Sequence, residues 1–307
     1  MGKVRNFLKK RYLNFTVFKW CVGIAEFDRD VVLSGNGSLK IHWLKGENDR
    51  SWFADPFILS ANDTVVEVLV EELFYENNKG RISRLTVDLS TWRIVKITPV
   101  IDLRTHLSFP AYFRKDGKVF IYPESSKSGK LTLYEYDEQS GSVTVVRDLC
   151  ELPLADAAIF DLCGRPAMLA TTFPFDNGNM LDVYRLDDNF VADRVQSVEF
   201  DTCVARNAGL PFKIDGQWYR PAQDCTESYG KCVVIQKMDY DGGSLNLSEI
   251  RRFKSYHSTY REAFHTFNVF EDRYVAVDAE GFRYGLPALV VSRVRNIFRR
   301  KERSGTC

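Results

Sequence analysis

The segment Trp52-Phe-Ala-Asp-Pro-Phe-Ile58 guides the interpretation of the whole chain. It places one carboxylate, Asp55, among aromatic and apolar residues directly ahead of a β-rich run, so we expect that carboxylate at a buried strand end. Comparable openings follow at Phe109–Phe113, Ala155–Ile159, Ala205–Gly209 and Phe264–Asn268. The pattern indicates a repeat protein with a polar residue near the start of each unit.

Length and composition set the broad class of the protein. Its 307 residues are 45% hydrophobic and 13% aromatic, enough to bury a large core within one domain. Charged residues make up 27%, and no apolar run approaches the roughly 18 residues that cross a bilayer, so a soluble protein is expected. Seven cysteines without paired CxxC spacing indicate neither a structural zinc site nor a disulfide framework. Residues 1–20 also lack a clean apolar signal-peptide region, which predicts a reducing, cytoplasmic location.

Positive charge is concentrated at the two ends of the sequence. Residues 1–20 and 286–307 together sum to about +11, which leaves the body near about −10. In residues 286–307, apolar side chains recur at three- and four-residue steps beside arginines, which predicts a helix on an anionic membrane surface, peripheral to its inner face. A packing helix with a solvated basic end is the alternative. Nucleic acid is not an expected partner, because the body offers no basic groove with interleaved aromatics.

Short β-type runs separated by turn chemistry fill the middle of the chain. Examples are Thr64–Val70 and Lys231–Gln236, and helical periodicity is nearly absent between them. Asp-Gly turns at Asp116-Gly117 and Asp215-Gly216 suit tight antiparallel hairpins. Successive units begin roughly 45 to 60 residues apart, close to the length of a four-stranded propeller blade. Five such units predict an all-β fold, a five-bladed β-propeller.

The predicted architecture divides the chain into three parts. Residues 1–19 form a basic N-terminal segment, residues 20–285 form the propeller, and residues 286–307 form a basic, helical tail. Residues 20–51 are expected to supply the outer strand that closes the ring and removes the sheet edge. A β-sandwich of similar length is the main rival, but it does not predict a polar residue at each unit's start.

Polar residues at equivalent places in successive blades are the candidates for a site. Innermost strands of a propeller converge on its axis, so such residues become neighbours at one face. The first expected set is Asp55, Asp156, Asn207 and His265, and an adjoining set is Glu71, Glu124, Thr172 and Asp224. Clustered carboxylates shift one another's pKa and can divide the roles of base, stabiliser and acid at a sugar centre. The alternative for each Asp is a turn cap.

Cationic and aromatic residues complete the candidate site. Arg206 and Arg220 could clamp a phosphate or carboxylate in bidentate geometry, and ion pairs with nearby acids are the alternative. His265 could donate a hydrogen bond or bind an ion on the axis, whereas a lone histidine is more often structural. Trp52 is a candidate substrate-binding surface. No organic cofactor is expected, and a divalent cation on the axis is the one ion that we consider.

Several motifs together carry a family resemblance. They are Trp52–Ile58, His106–Pro110, Tyr122–Ser125, Ala205–Gly209, Arg220–Cys225, Tyr229-Gly230 and His265–Asn268. Over about residues 20–285 they resemble the N-terminal β-propeller domain of the glucosamine inositolphosphorylceramide transferase family and its bacterial relatives. In the plant proteins this domain is joined to a separate glycosyltransferase domain. The resemblance therefore implies a propeller that acts alone or with a partner glycosyltransferase.

A more distant resemblance is to the five-bladed furanosidase propellers, which include arabinanases, invertases and levansucrases. Their sites use a first-blade Asp, a third-blade Asp and a fourth-blade Glu. Asp55 and Asp156 match the first two, whereas Arg206-Asn207 stands in place of the Glu. The resemblance therefore implies that a general acid would be relocated to Glu124 or Asp224. An arginine at that position suits a phosphate-bearing substrate such as a nucleotide sugar or a phospho-linked donor.

These inferences lead to one functional hypothesis and two alternatives. The hypothesis is a transferase of a sugar, furanosyl being one option, in the synthesis of a surface polysaccharide such as a capsule or of a glycolipid. Asp55 would be nucleophile or base, Asp156 the stabiliser of positive charge, and Glu124 or Asp224 the acid. Arg206 and Arg220 would anchor an anionic donor or acceptor. The alternatives are a non-catalytic glycan-binding scaffold for a partner transferase, and a glycoside hydrolase.

Overall fold

The computed structural model describes residues 18–282, apart from residues 36, 47, 163, 188, 189 and 242. Within these residues nearly every regular element is a β-strand. The first elements are β1 (Phe18–Glu26), the short helix α1 (Arg29–Leu33) and β2 (His42–Trp43). No helix in the described part of the chain has the length and apolar character needed to cross a membrane.

Four blades follow in chain order, each a sheet of four consecutive antiparallel strands. Blade 1 contains β3 (Ser51–Ala61), β4 (Val65–Phe74), β5 (Lys79–Asp88) and β6 (Arg93–Ile101). Blade 2 contains β7 (Tyr112–Lys115), β8 (Lys118–Ile121), β9 (Leu131–Tyr136) and β10 (Val143–Cys150), with a 3-10 turn at Ser126–Ser128. Blade 3 contains β11 (Leu154–Leu162), β12 (Arg165–Thr172), β13 (Met180–Leu186) and β14 (Ala192–Glu199). Blade 4 contains β15 (Phe212–Ile214), β16 (Gln217–Asp224), β17 (Cys232–Tyr240) and β18 (Leu245–Phe253).

The fifth blade joins the two ends of the described chain. Its last strands, β19 (Phe267–Phe270) and β20 (Tyr274–Phe282), are followed across the sheet by β1 and then β2. β20 and β1 pair antiparallel along their whole length, from Phe18 opposite Phe282 to Glu26 opposite Tyr274. The prediction that residues 20–51 close the ring is thus confirmed, although this part of the chain supplies two strands, β1 and β2, where one was predicted. Closing the ring in this way leaves no gap between the first and last blades.

Burial follows the position of a strand within its blade. β4 is apolar along most of its length and buried from Val68 to Leu73, because neighbouring blades cover both of its faces. β14, at the outer end of blade 3, is mostly exposed. The largest hydrophobic cluster lies between blades and joins Ile82 of blade 1, Ile121 of blade 2 and Met168 of blade 3. Burial of these apolar faces is the main stabilising contribution to the fold.

The five-bladed, all-β prediction is confirmed. Five separately paired sheets rule out a two-sheet sandwich for the described residues. The predicted basic N-terminal segment and helical tail fall mainly in residues 1–17 and 283–307, which lie outside the described residues.

Candidate functional site

Two equivalent backbone irregularities carry the first two candidate carboxylates. Asp55 has a φ of 49° and Asp156 a φ of 44°, both in the left-handed region that Asp tolerates better than most residues. In each case the pairing register of the strand shifts across the residue, between Ala54 and Phe57 in β3 and in the matching part of β11. Such a bulge redirects a side chain away from the regular alternation of the strand. The repeat therefore presents one carboxylate in the same way from blades 1 and 3.

Asp55 joins three blades through hydrogen bonds. Its Oδ2 accepts the backbone N–H of Phe109 from blade 2 at 2.9 Å. Its own backbone N–H donates to Oδ2 of Asp278 in β20, also at 2.9 Å. The Asp55 side chain is buried, so its carboxyl group is held at the meeting point of blades 1, 2 and 5.

His265 lies between two of these carboxylates. Its Nδ1 is 2.7 Å from Oδ1 of Asp278, and its Nε2 is 3.6 Å from Oδ1 of Asp55. The imidazole stacks on the indole of Trp20, with ring centroids 3.8 Å apart. His265 is thus fixed on two sides by charge and on one face by an aromatic ring.

The ionisation of this group follows from burial and mutual attraction. Burial raises the pKa of Asp55 to about 7; His265 opposes the increase, and Glu71 adds to it. Burial alone would lower the pKa of His265, but the carboxylates of Asp278 and Asp55 raise it to about 9. His265 is therefore an imidazolium at neutral pH, whereas Asp55 is close to the point at which it gains or loses a proton.

A second group of acids surrounds Arg206. Its Nε donates to Oδ2 of Asp156 at 2.6 Å, and its Nη2 donates to Oε2 of Glu124 at 3.1 Å. Its Nη1 donates to Asp176 in the loop between β12 and β13. Arg206 is only 7% exposed, and three buried or nearly buried carboxyl groups form ion pairs with its guanidinium.

Glu124 and Asp156 differ in how well their charged forms are supported. Asp156 accepts hydrogen bonds from Arg206 and from Nε2 of Gln223, the latter at 2.7 Å. Burial raises the pKa of Glu124 well above its usual value; Arg206 opposes this increase, and Asp156 adds to it. Glu124, whose pKa is raised, thus lies beside Asp156, whose carboxylate accepts two side-chain hydrogen bonds, and an acid next to a charge stabiliser is the pairing used in sugar chemistry.

Aromatic side chains lie along both groups. The ring of Tyr229 contacts His265 edge-on, with centroids 5.4 Å apart, and lies 5.3 Å from the Arg206 guanidinium. Tyr229 is 43% exposed, so it also forms part of the surface above the acids. Trp52 is half-buried and packs against a small cluster that contains Trp20. These rings are suited to the apolar face of a sugar.

Two of the predicted site residues have other roles. Successive side chains of β16 point to opposite faces, so Gln223 reaches Asp156 while Asp224 pairs with Arg252 of β18. The prediction of Asp224 as the acid is corrected on this ground. Arg220 is completely buried and donates to Oδ1 of Asn207 and to Oε1 of Gln236, at 2.7 and 2.5 Å. It fixes the segment that precedes β15 and is not placed to anchor a ligand.

Sequence reasoning left other contributors out of its site. They are Trp20, Asp176, Gln223, Tyr229 and Asp278. Asp278 occupies the polar position of the fifth unit, so the repeat could have identified it. Gln223 could have been identified from strand alternation, which places it on the opposite face from Asp224. Trp20 and Asp176 had no such signal, because one comes from the strand that closes the ring and the other from a turn-like Asp-Asn-Gly sequence.

Asp55, His265 and Asp278 form the one group in the described part of the chain whose ligand-type atoms could surround a metal ion, within 4.8 Å of one another. Their oxygen and nitrogen atoms already form hydrogen bonds within the group. Oδ2 of Asp278 accepts from the backbone of Asp55, and its Oδ1 contacts the ring of His265. The imidazolium already provides the positive charge that a metal would supply. A divalent cation on the axis stays a prediction.

A family model described as glucosamine inositolphosphorylceramide transferase 1, N-terminal, matches residues 44–251. The glucosamine inositolphosphorylceramide transferase 1 of Arabidopsis thaliana is 28% identical over 209 residues, which cover 62% of this chain and 26% of that protein. The protein of the same name from Oryza sativa subsp. japonica is 24% identical over 225 residues, covering 64% and 27%. The matched region spans about a quarter of the length of these relatives.

Solved structures with a similar fold include glycoside hydrolases. A GH43 β-xylosidase/α-arabinofuranosidase from a compost microbial metagenome has a TM-score of 0.51 at 13% identity, covering 77% of this chain and 92% of the enzyme. The xylose complex of the GH43_1 enzyme from Xanthomonas citri has a TM-score of 0.50 at 11% identity, covering 76% and 88%. At these identities the likeness shows the fold alone.

Proposed function

We propose a function on the premise that this chain belongs to the glucosamine inositolphosphorylceramide transferase N-terminal family, whose pattern covers most of its described residues. The proposed function is sugar transfer in the synthesis of a glycolipid or a surface polysaccharide, with the propeller axis as the sugar site. The observation that carries it is the geometry of three acids on the axis: Asp55 is hydrogen-bonded across blades 1, 2 and 5, and Arg206 holds Asp156 and Glu124 next to each other.

Each of the three acids has a proposed role. Asp55 accepts the proton of the acceptor hydroxyl as that oxygen attacks the anomeric carbon, because its pKa of about 7 suits a general base. Glu124 gives its proton to the departing oxygen of the donor. Asp156, which accepts hydrogen bonds from Arg206 and Gln223, stabilises the positive charge that develops at the sugar. The donor is a nucleotide- or phospho-linked sugar, and furanosyl groups are within the proposed range.

Arg206 takes a different role from the predicted anion anchor. Three carboxyl groups already share its guanidinium, so little positive charge remains for a phosphate. We assign it as a positioning residue that holds Asp156 and Glu124 at a fixed separation. We assign His265 as a positioning residue for Asp55, because it is 3% exposed and its Nε2 lies 3.6 Å from Oδ1 of Asp55.

A glycan-binding scaffold for a partner glycosyltransferase is the second candidate. The ion pairs of Arg206 favour this candidate, because Asp156, Asp176 and Glu124 each accept a hydrogen bond from Arg206 in the absence of a substrate. The limited share of the relatives that this chain matches agrees with a domain that works beside another catalytic unit. In this case Tyr229 and Trp52 would bind the sugar and the acids would only hold the blades together.

Replacement of Asp55 distinguishes these functions. Asp55→Asn keeps the size and most hydrogen bonds of the side chain, so we expect a folded protein whose glycan or glycolipid product falls at least about a hundredfold. The assay measures that product in cells lacking the native chain, with thermal unfolding of the purified variant as the fold control. Asp63→Asn is the matched control, since Asp63 is fully exposed. Normal product from a folded Asp55→Asn variant would rule out the catalytic role and favour the scaffold.

A further inference from the structure

A cavity of about 690 Å³ lies where blade 5 meets the outer strand of blade 4. Its walls come from the loop that follows α1, from β2, from the end of β18 and from the segment that follows β18. None of the axial acids lines it. Its volume is within the range of small-molecule sites in proteins. The cavity is therefore a second candidate binding site, separate from the propeller axis.

Two cations in this cavity lack acidic partners in the described part of the chain. The guanidinium of Arg251 donates to the backbone oxygens of Gly35 and Gly37, at 2.9 and 3.4 Å, and its buried Nε has no hydrogen-bond partner. Lys254 makes no ion pair with any described residue. Arg252 differs from both, because Asp224 and Glu249 balance its charge. The cavity thus carries positive charge that an anionic ligand would neutralise.

Flat rings occupy the same cavity. Trp43 meets His257 edge-on with centroids 5.5 Å apart, and Tyr256 is 89% exposed. Nδ1 of His257 accepts the backbone N–H groups of Thr259 and Tyr260, both at 3.0 Å, so its other nitrogen carries the proton and is free to donate. Aromatic faces of this kind can stack on a base, as aromatic side chains do in proteins that bind single-stranded nucleic acids.

We infer that this cavity binds a nucleoside diphosphate, with the phosphates on Arg251 and Lys254 and the base against Trp43 and Tyr256. Phosphate alone would use the cations but leave most of the cavity and its rings without contacts. An uncharged ring compound would leave the guanidinium of Arg251 uncompensated. A ligand that carries both phosphates and a base would pair with the cations and stack on the aromatic rings. This site does not depend on the proposed chemistry at Asp55.

Isothermal titration calorimetry of the full chain tests the inference with four probes: uridine diphosphate, adenosine diphosphate, pyrophosphate and uridine. We expect at least one nucleoside diphosphate to bind with a stoichiometry of one, about tenfold or more tighter than pyrophosphate or uridine. Lys254→Gln should weaken that binding about tenfold, since it removes a charge-assisted contact. Trp43→Leu should weaken nucleotide binding and leave pyrophosphate binding unchanged.

The controls separate a binding role from a structural one. Arg251→Gln should also weaken binding, but Arg251 supports the Gly35 and Gly37 loop, so Lys254→Gln is the decisive variant and thermal unfolding is measured for both. Arg185→Gln, at an exposed position of β13, should bind like the unmodified chain. Absence of nucleotide binding, nucleotide binding unchanged by Lys254→Gln, or pyrophosphate binding as tight as nucleotide binding would each overturn the inference.

Discussion

Nε of Arg206 lies 2.6 Å from Oδ2 of Asp156, and this bond joins the segment that opens blade 4 to the first strand of blade 3. The same guanidinium reaches Glu124 of blade 2. One arginine therefore links three consecutive blades on the axis. If Arg206 has this structural role, its substitution should lower the stability of the fold, whereas substitution of a ligand anchor should lower only ligand affinity.

Arg206→Ala is expected to destabilise the fold strongly. It leaves three buried or nearly buried carboxyl groups without their cation, and removal of one partner from such a group costs about 3–5 kcal/mol. Arg206→Lys should recover part of the loss, since it restores charge but not the fork of donors. Urea unfolding measures both, with Arg185→Ala as an exposed control. If Arg206→Ala were as stable as the unmodified chain and only ligand affinity fell, the anchor hypothesis would be preferred.

Stability should fall as pH rises across the neutral range. The pKa of His265 is raised from 6.5 to about 9, so the folded chain holds a proton that the unfolded chain has lost. This contribution is complete below about pH 6.5, on the order of 3 kcal/mol, and is lost as pH rises through about 9. The raised pKa of Asp55 acts in the same direction between about pH 4 and 7.

The measurement is the free energy of unfolding at several pH values from 6 to 9.5. Its slope should be clearly less negative in His265→Gln, whatever the absolute stability of that variant. An unchanged slope would mean that His265 is neutral in the folded chain over this range.

Adjacent residues of β16 should respond differently to substitution. Gln223→Ala removes a donor to Asp156 and should lower sugar-transfer activity about tenfold while the protein stays folded. Asp224→Ala breaks an ion pair with the partly exposed Arg252 and should cost no more than about 1 kcal/mol of stability, with activity retained. The product assay measures the activity of both variants, and thermal unfolding measures their stability. Reversed effects would place Asp224, not Gln223, in the site.

The basic ends predict binding to anionic vesicles. With about +11 formal charge in residues 1–20 and 286–307, binding should weaken as salt screens the charge and should be absent with neutral lipid. Deletion of residues 286–307 should reduce it. Co-sedimentation with vesicles of each composition is the measurement. Equal binding to neutral vesicles, or no effect of the deletion, would remove the membrane-surface hypothesis.

Much of the fold was accessible from the sequence because the repeat has a physical basis. Asp55 and Asp156 each follow an alanine near the start of a unit, and each lies in a left-handed conformation at a shift of the strand register. Arg206 and His265 precede the first strands of their blades and Glu124 follows β8, and each of them contacts one of these two aspartates or its ion-pair partner. The rest depended on information that a linear pattern does not carry.

Arg220 illustrates that limit. The sequence suggests that the Arg220 guanidinium could bind an anion, but the residue is 0% exposed and neighbouring oxygens already accept its hydrogen bonds. Asp224 shows a second limit, because strand alternation selects its neighbour. Trp20 shows a third, since its stacking on His265 depends on pairing between strands at opposite ends of the described chain.

The pairing of β1 with β20 has a consequence for how the protein is made. Trp20 is among the first described residues to leave the ribosome, and its partner His265 is among the last. The ring and the His265 side of the axial site can therefore be completed only after synthesis of the fifth blade. Pairing across so long a stretch of chain is slow to form. Until then the apolar edge of β1 is uncovered, so this strand is the segment most in need of protection from aggregation during synthesis.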